Sequence, residues 1–205
     1  MIIYNKDCGQ FEDDELRAIA NLHYQCINLG FLSKLGNNFL FYLYKSMSLS
    51  DDVVLIIAKD QDEIIGFITG TQGSFSGVYK HLIKKHLVPV SLILIPHLFK
   101  FSNFKKIIEI LFYTKGDNDL SDLPKAELLS LAVVKEHRGS GVSQQLFIML
   151  AEHFKEIKIN KFKIVVGEEL IGAQKFYEKM GAVRECVLEV HSGKASVIYS
   201  VDVKS

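Results

Sequence analysis

The sequence carries no excess charge of either sign, no cysteine pair at ligand spacing and no apolar run long enough to span a membrane. Its 205 residues include 24 basic and 24 acidic side chains, whereas a nucleic-acid binder normally shows a basic surplus. Nucleic acid is therefore not expected as a partner. Cys8, Cys26 and Cys186 are odd in number and widely spaced. Neither a disulfide framework nor a thiolate metal centre is indicated, and they suit buried thiols in a reducing compartment. None of the seven histidines stands at ligand spacing from a cysteine or an acid, so no metal site is predicted. The longest apolar run, 87–99, contains Pro89 and Pro96 and falls short of the ~20 residues of a membrane-spanning helix. The first residues lack the basic flank and apolar core of a secretory signal. These absences predict a soluble, cytoplasmic protein. Residues 1–205 are read as a single domain, since 48% hydrophobic residues can fill one core.

What is present is a clear alternation of periods. A short apolar start at 2–4 precedes the acidic cluster 12–15, which suits the positive end of a helix dipole. Leu16, Ile19, Ala20, His23 and Ile27 then recur at helical spacing, with Gly30 as the expected stop. A second helix is expected over Asn37–Met47. "VVLIIA" (53–58) and "EIIGFITGT" (63–71), joined by "KDQD", read as a hairpin of buried strands. "AELLSLAVV" (126–134) is the next strand, and Val142, Leu146, Leu150, Phe154 and Ile157 form a helical stripe. "FKIVVG" follows as a strand, 171–180 as a short helix ended by Gly181, and "RECVLEV" with "ASVIYSVDV" as a closing hairpin. Hairpins mixed with strand–helix–strand crossovers predict an α/β fold, with a mixed, mostly antiparallel central sheet flanked by helices.

Between the third and fourth strands, 73–125 is too long and too apolar for a simple loop. Helices are expected at 79–87, 90–101 and 104–113, making this a helical insertion. From 73 to 115 it holds Lys80, Lys84, Lys85, Lys100, Lys105, Lys106 and Lys115 against one acid, Glu109. Most of these charges suit the wet outer face of a helical hairpin, although the basic insertion could also associate weakly with an anionic surface.

The stretch "EHRGSGVSQQL" (136–146) puts flexible backbone where a strand hands over to a helix. The first amides of a helix have no intrahelical partner and share the positive end of its dipole, so they can cradle a phosphate. Glycine allows a close approach because it has no Cβ. One reading is a diphosphate cradle built from Gly139, Ser140, Gly141, Val142, Ser143 and Gln144, with Arg138 adding charge. The other is a tight turn with an arginine in solvent. Neither the P-loop pattern nor the dinucleotide fingerprint is present.

"LLSLAVVKEHRGSGVSQQLFIMLAEHF" resembles the signature segment of the GNAT superfamily of acetyl-coenzyme-A-dependent N-acetyltransferases. In that family an apolar strand end is followed by Arg/Gln-x-x-Gly-x-Gly/Ala opening a helix. Here the pattern falls on Arg138 to Ser143, with serine at the last small position. "GAQKFYEKMGAV" (172–183) is similar to the family's second segment through Ala173, Phe176, Tyr177 and Gly181. It departs at Leu170, where asparagine is common, and at Ala182, where phenylalanine is usual. The resemblance covers 126–183 well and 53–71 in outline.

The resemblance implies acetyl-CoA as co-substrate, direct transfer without a covalent enzyme intermediate, and a fourth strand that splays from its neighbour. Backbone groups of Leu131, Ala132 and Val133 would then hold the pantetheine arm, one N–H serving as oxyanion donor. Glu127 is the candidate base. It lies four residues before Leu131, hence on the same face if the strand is regular; the other reading is a solvated carboxylate at a strand start. Tyr177 is the candidate general acid for the departing thiolate, or else an aromatic packing a short helix. The expected acceptor is a small-molecule amine such as an amino sugar or related metabolite, bound between 29–41 and the insertion. A protein N-acetyltransferase and a non-catalytic acyl-CoA sensor or scaffold are the alternatives. The chain is expected as a monomer or homodimer.

Overall fold

A computed structural model describes residues 2–5, 11–28, 30–73, 76–98, 123–191 and 194–203. In chain order its elements are β1 (Ile2–Asn5), α1 (Asp13–Cys26), α2 (Phe31–Lys34), α3 (Asn37–Met47), β2 (Val53–Asp60), β3 (Glu63–Thr71) and α4 (Ser76–Leu98). There follow β4 (Glu127–Val133), a 3-10 turn (Lys135–His137), α5 (Val142–Glu156), β5 (Lys161–Gly167), α6 (Ile171–Lys179), β6 (Val183–His191) and β7 (Lys194–Asp202). Among the described residues the strands form one sheet in the order β1-β2-β3-β4-β5-β7-β6. Every neighbouring pair is antiparallel except β4 with β5. The mixed, mostly antiparallel sheet expected from the sequence is thus the one observed.

Each face of the sheet carries its own core. On one, Val142, Leu146, Leu150 and Phe154 of α5 pack on Ile56, Ile68, Phe162 and Tyr199. On the other, Leu16 and Ile19 of α1 and Leu40 and Tyr44 of α3 cover Ile57 and Phe67. Ile157, the last member of the expected stripe, caps α5 and is 38% exposed. Helix α1 begins with a reciprocal cap between Glu12 and Glu15, and Asp13, Asp14 and Glu15 lie at its positive end. It stops at Cys26, before the Gly30 expected to end it; Gly30 instead caps α2.

Two glycines set how close α5 can lie. Gly66 and Gly70 share a face of β3, and a Cβ on Gly70 would sit 2.7 Å from Leu150 Cδ1 and 2.8 Å from Phe154 Cζ. The helix therefore rests against bare backbone.

The insertion begins with α4, which packs along α3. Helix α4 consists of two helical segments that meet at a kink at His86 (φ −127°, ψ 17°), in keeping with the separate helices expected over 79–87 and 90–101, and its described part ends at Leu98. Pro89 accounts for the kink, because it lacks an N–H and its ring crowds the carbonyl four residues earlier, that of Lys85. The third expected helix, 104–113, lies outside the described residues. No described helix is long and apolar enough to cross a membrane.

Gly70→Ala is expected to lower stability by about 1–3 kcal/mol through overpacking, read as a fall in the melting temperature. In a Leu150→Ala background the same change should cost less, since one of the two clashing contacts is gone.

Candidate active site

Strand β4 pairs with β3 along its whole length but with β5 at two positions, Glu127↔Lys163 and Leu128↔Ile164. Beyond Leu128 the two strands part, and β5 stays with β7 from Lys161 to Gly167. The groups on this side of β4 then lack a strand partner. Val134 N–H donates to Ile65 O at 2.9 Å, so in the antiparallel register Ala132 and Ser130 also face β3. Leu131 and Val133 face the split. Of the three residues expected to supply backbone groups, Ala132 spends its own on Phe67; Leu131 and Val133 remain.

The register of β4 also contains a bulge. Gly70 pairs with Leu128 and Thr69 with Ser130, leaving Leu129 as the extra residue. Leu128, Leu131 and Val133 accordingly belong to the α5 side, and Leu129 and Ala132 to the α1/α3 side. Glu127 lies opposite Leu128 and pairs with Lys163, so the bulge breaks the regular alternation and puts Glu127 and Leu131 on opposite faces. The condition of a regular strand is not met.

The turn after β4 has the geometry of a cradle. Gly139 and Gly141 have φ of +79° and +93°, and a Cβ on either would have nothing within 4 Å. These backbone angles strain any L side chain, and the space a Cβ would occupy is open. Gly141 caps α5 with no side-chain hydrogen bond, and the first helical bond is Gln145 N–H to Gly141 O at 3.1 Å. The amides of Val142, Ser143 and Gln144 are therefore left over at the positive end of a 15-residue helix. Ser140 Oγ is directed back to His137 O at 2.6 Å. These residues fit a diphosphate.

Arg138 is engaged elsewhere. Its Nε donates to Val133 O at 3.2 Å, and its Nη2 lies 3.5 Å from Cys26 Sγ. The Cys26 thiol also reaches Val133 O, at 3.7 Å. The guanidinium thus ties the end of α1 to the end of β4 beside the cradle, a partnership that residue type alone does not reveal.

Glu127 and Lys163 stand 3.7 Å apart at the last bridged pair before the split, with side chains 26% and 21% exposed. Burial pushes the Glu127 carboxyl above its usual range, and Lys163 pulls it partly back. Lys163 was not foreseen, because cross-strand register cannot be read from either strand alone. Tyr177 of α6 packs its ring 6.2 Å from Phe147 and 5.3 Å from Phe176, is 7% exposed, and is held above the usual phenol range by burial. Leu170, where the second segment departs from the GNAT pattern, is 40% exposed at the start of α6. Ala182 is buried in the α5-side core. No described group of three or more His, Cys, Asp or Glu could hold a metal ion.

Comparison with known proteins agrees with this architecture. The sequence profile of the Acetyltransferase (GNAT) family matches residues 18–182. The chain belongs to this family. As a GNAT member it is an acetyl-CoA-dependent N-acetyltransferase. No curated protein matches it by sequence. Among solved structures it is similar to an aminoglycoside 6'-N-acetyltransferase complexed with coenzyme A, at 14% identity and a TM-score of 0.61, covering 100% of this chain and 98% of that one. A spermidine N-acetyltransferase chimera from Vibrio cholerae and hSSAT matches at 15% identity and 0.62, covering 98% and 95%. Arabidopsis thaliana NAA60 in complex with acetyl-CoA matches at 13% and 0.58, covering 98% of each chain.

Gly141→Val is expected to weaken acetyl-CoA binding at least about tenfold, equivalent to ~1.4 kcal/mol, in a calorimetric titration. Any loss of thermal stability should stay near the ~1–2 kcal/mol of one strained left-handed residue.

Proposed function

We propose that the protein transfers the acetyl group of acetyl-CoA to a primary amine of a small molecule, with residues 1–205 acting as one catalytic unit. The amine nitrogen attacks the thioester carbon, the C–N bond forms as the C–S bond breaks, and the electron pair leaves on sulfur. Glu127 takes the proton from nitrogen, directly or through water. The turn Gly139 to Gln144 cradles the diphosphate, with the amides of Val142, Ser143 and Gln144 directed at it. Leu131 and Val133 line the pantetheine arm, and a split-facing amide of this pair donates to the oxyanion, a contribution of roughly 3–4 kcal/mol in acyl transfer.

Tyr177 serves the departing sulfur. Its hydroxyl is held well above the phenol range, whereas a free thiol titrates near ~8.5. It therefore contributes a hydrogen bond to the thiolate more readily than a full proton.

The observation that carries this reading is the half-buried Glu127 carboxylate at the point where β4 leaves β5. A raised pKa there matches the requirement for a base poised closer to neutrality. The small acceptor is supported by α4, which packs along α3 on the Glu127 side of the sheet and narrows the approach of a folded substrate. A protein acceptor is the second reading, favoured by Leu87, Val88 and Leu92 standing 56%, 69% and 65% exposed on α4.

Screening small amines and peptides with acetyl-CoA, reading thiol release, decides between the two; turnover of peptides alone overturns the proposal. With an acceptor in hand, the base has a signature. The rate should rise with pH as Glu127 deprotonates. Lys163→Met removes the charge that lowers its pKa, so the acid limb of the pH–rate profile should move to higher pH. Glu127→Gln should lower the rate about 10²-fold or more and abolish that limb.

A further inference from the structure

The carbonyl of Val133 is the last group of β4 on the side of the split, and it is already occupied. Val133 is 5% exposed, and a buried carbonyl requires a partner. Arg138 Nε donates to it at 3.2 Å, and the Cys26 thiol approaches it from α1 at 3.7 Å. Arg138 Nη2 stands 3.5 Å from the same sulfur. One carbonyl thus gathers the end of α1, the end of β4 and the residue that precedes the cradle.

The other half of that peptide group is held as well. Val134 N–H donates to Ile65 O of β3 at 2.9 Å, so the peptide is fixed on one side by the sheet and on the other by Arg138. The 3-10 turn has its own bonds, His137 N–H to Val134 O at 3.1 Å and Arg138 N–H to Lys135 O at 3.2 Å. These shape the turn, and the Arg138 side chain carries it back to the split-facing edge of β4. Directly beyond lie Gly139 and Gly141, at φ of +79° and +93°. Glycine backbone is free to swing, so the cradle is aimed by whatever fixes the residue ahead of it.

Charge does not account for this contact. A carbonyl asks for a donor, and the pattern that the turn resembles takes arginine or glutamine at this place. Glutamine shares no charge with arginine. What the two share is a nitrogen donor the same number of bonds from Cα, Nε2 in one and Nε in the other. Lysine shares the charge and has no donor there.

We propose that Arg138 is a positioning residue whose Nε closes the turn onto Val133 O, fixing the diphosphate cradle relative to the open edge of β4 and leaving the Val133 amide for the pantetheine arm. This rests on the pantetheine of coenzyme A lying in the split. The clasp is then felt only by a ligand that spans cradle and split together.

Two ligands separate the roles in a calorimetric titration at ~0.15 M salt, where exposed charges are screened beyond about 8 Å. Coenzyme A spans both places, whereas 3'-phospho-ADP has the diphosphate and no pantetheine. Arg138→Met and Arg138→Lys should bind coenzyme A about tenfold more weakly, the loss of one aligned hydrogen bond. Both should bind 3'-phospho-ADP within about twofold of wild type, and Arg138→Gln should keep coenzyme A within about threefold. Weakening of both ligands alike by Arg138→Met, spared in Arg138→Lys, makes the arginine a diphosphate ligand and overturns the proposal. Unchanged binding of coenzyme A does so too, as does tighter binding, which would mean that the side chain merely blocks the carbonyl. Arg138→Gln no better than Arg138→Met overturns the donor assignment. If Arg138→Met does not fold, Arg138→Lys must show the selective loss alone, and its failure to do so sinks the proposal. A wild type that holds coenzyme A no more tightly than 3'-phospho-ADP takes the pantetheine out of the split and this proposal with it. A wild type that prefers coenzyme A, with variants that lose none of the preference, sinks this proposal alone.

Discussion

The structure turns on the fact that β4 cannot keep two neighbours. It stays with β3 to the end but leaves β5 after two bridged pairs, and this opens a strand edge in the middle of a sheet. Buried peptide groups must be paired by something. Arg138 and Cys26 answer the carbonyl of Val133, and the remaining split-facing groups of Leu131 and Val133 are offered to whatever lies between the strands. A ligand with amides along an extended arm, as the pantetheine of coenzyme A has, completes the interrupted sheet by the same rule that pairs strands. Cofactor recognition is then a consequence of the topology, with side-chain identity secondary.

The same strand divides its labour by face and edge. Its α5 side fills the main core, its edge beyond Leu128 is left without a strand partner, and its α1/α3 side presents Glu127. The bulge at Leu129 makes this possible, because it lets polar and apolar residues swap sides within seven positions. Lys163 meets Glu127 at the last rung before the strands separate. Burial raises the carboxyl and the ammonium restrains the rise, so the hinge point of the split is also where its acid–base behaviour is set.

Much of this could be read in advance, and what could not has a physical reason. Helix α3 and the β2–β3 hairpin follow directly from periodicity, and the glycine stretch announces its turn because positive φ is nearly a glycine property. The bulge is silent, since β4 is apolar on both faces and no alternation marks its register. Arg138 misleads for a different reason: a cation beside a phosphate cradle suggests an ion pair, yet its nearest acceptor is a carbonyl five residues back. Pro89 separates the two helices expected from the sequence, and α4 is indeed broken beside it by the kink at His86.

Glycine is used in two ways, and the two are mechanically linked. Gly66 and Gly70 lack a Cβ so that α5 can lie against β3; Gly139 and Gly141 lack one so that the chain can turn and a ligand can approach. Between the two pairs stands α5, about 22 Å long at 1.5 Å per residue and stiff along its axis. Its depth on the sheet is fixed by the first pair, and its N-terminal amides are presented by the second. Those amides fit a diphosphate, and the open edge of β4 lies close by. A rigid helix seated on bare backbone thus fixes where those amides lie relative to the open edge of β4, so the packing of the core sets the geometry of the site.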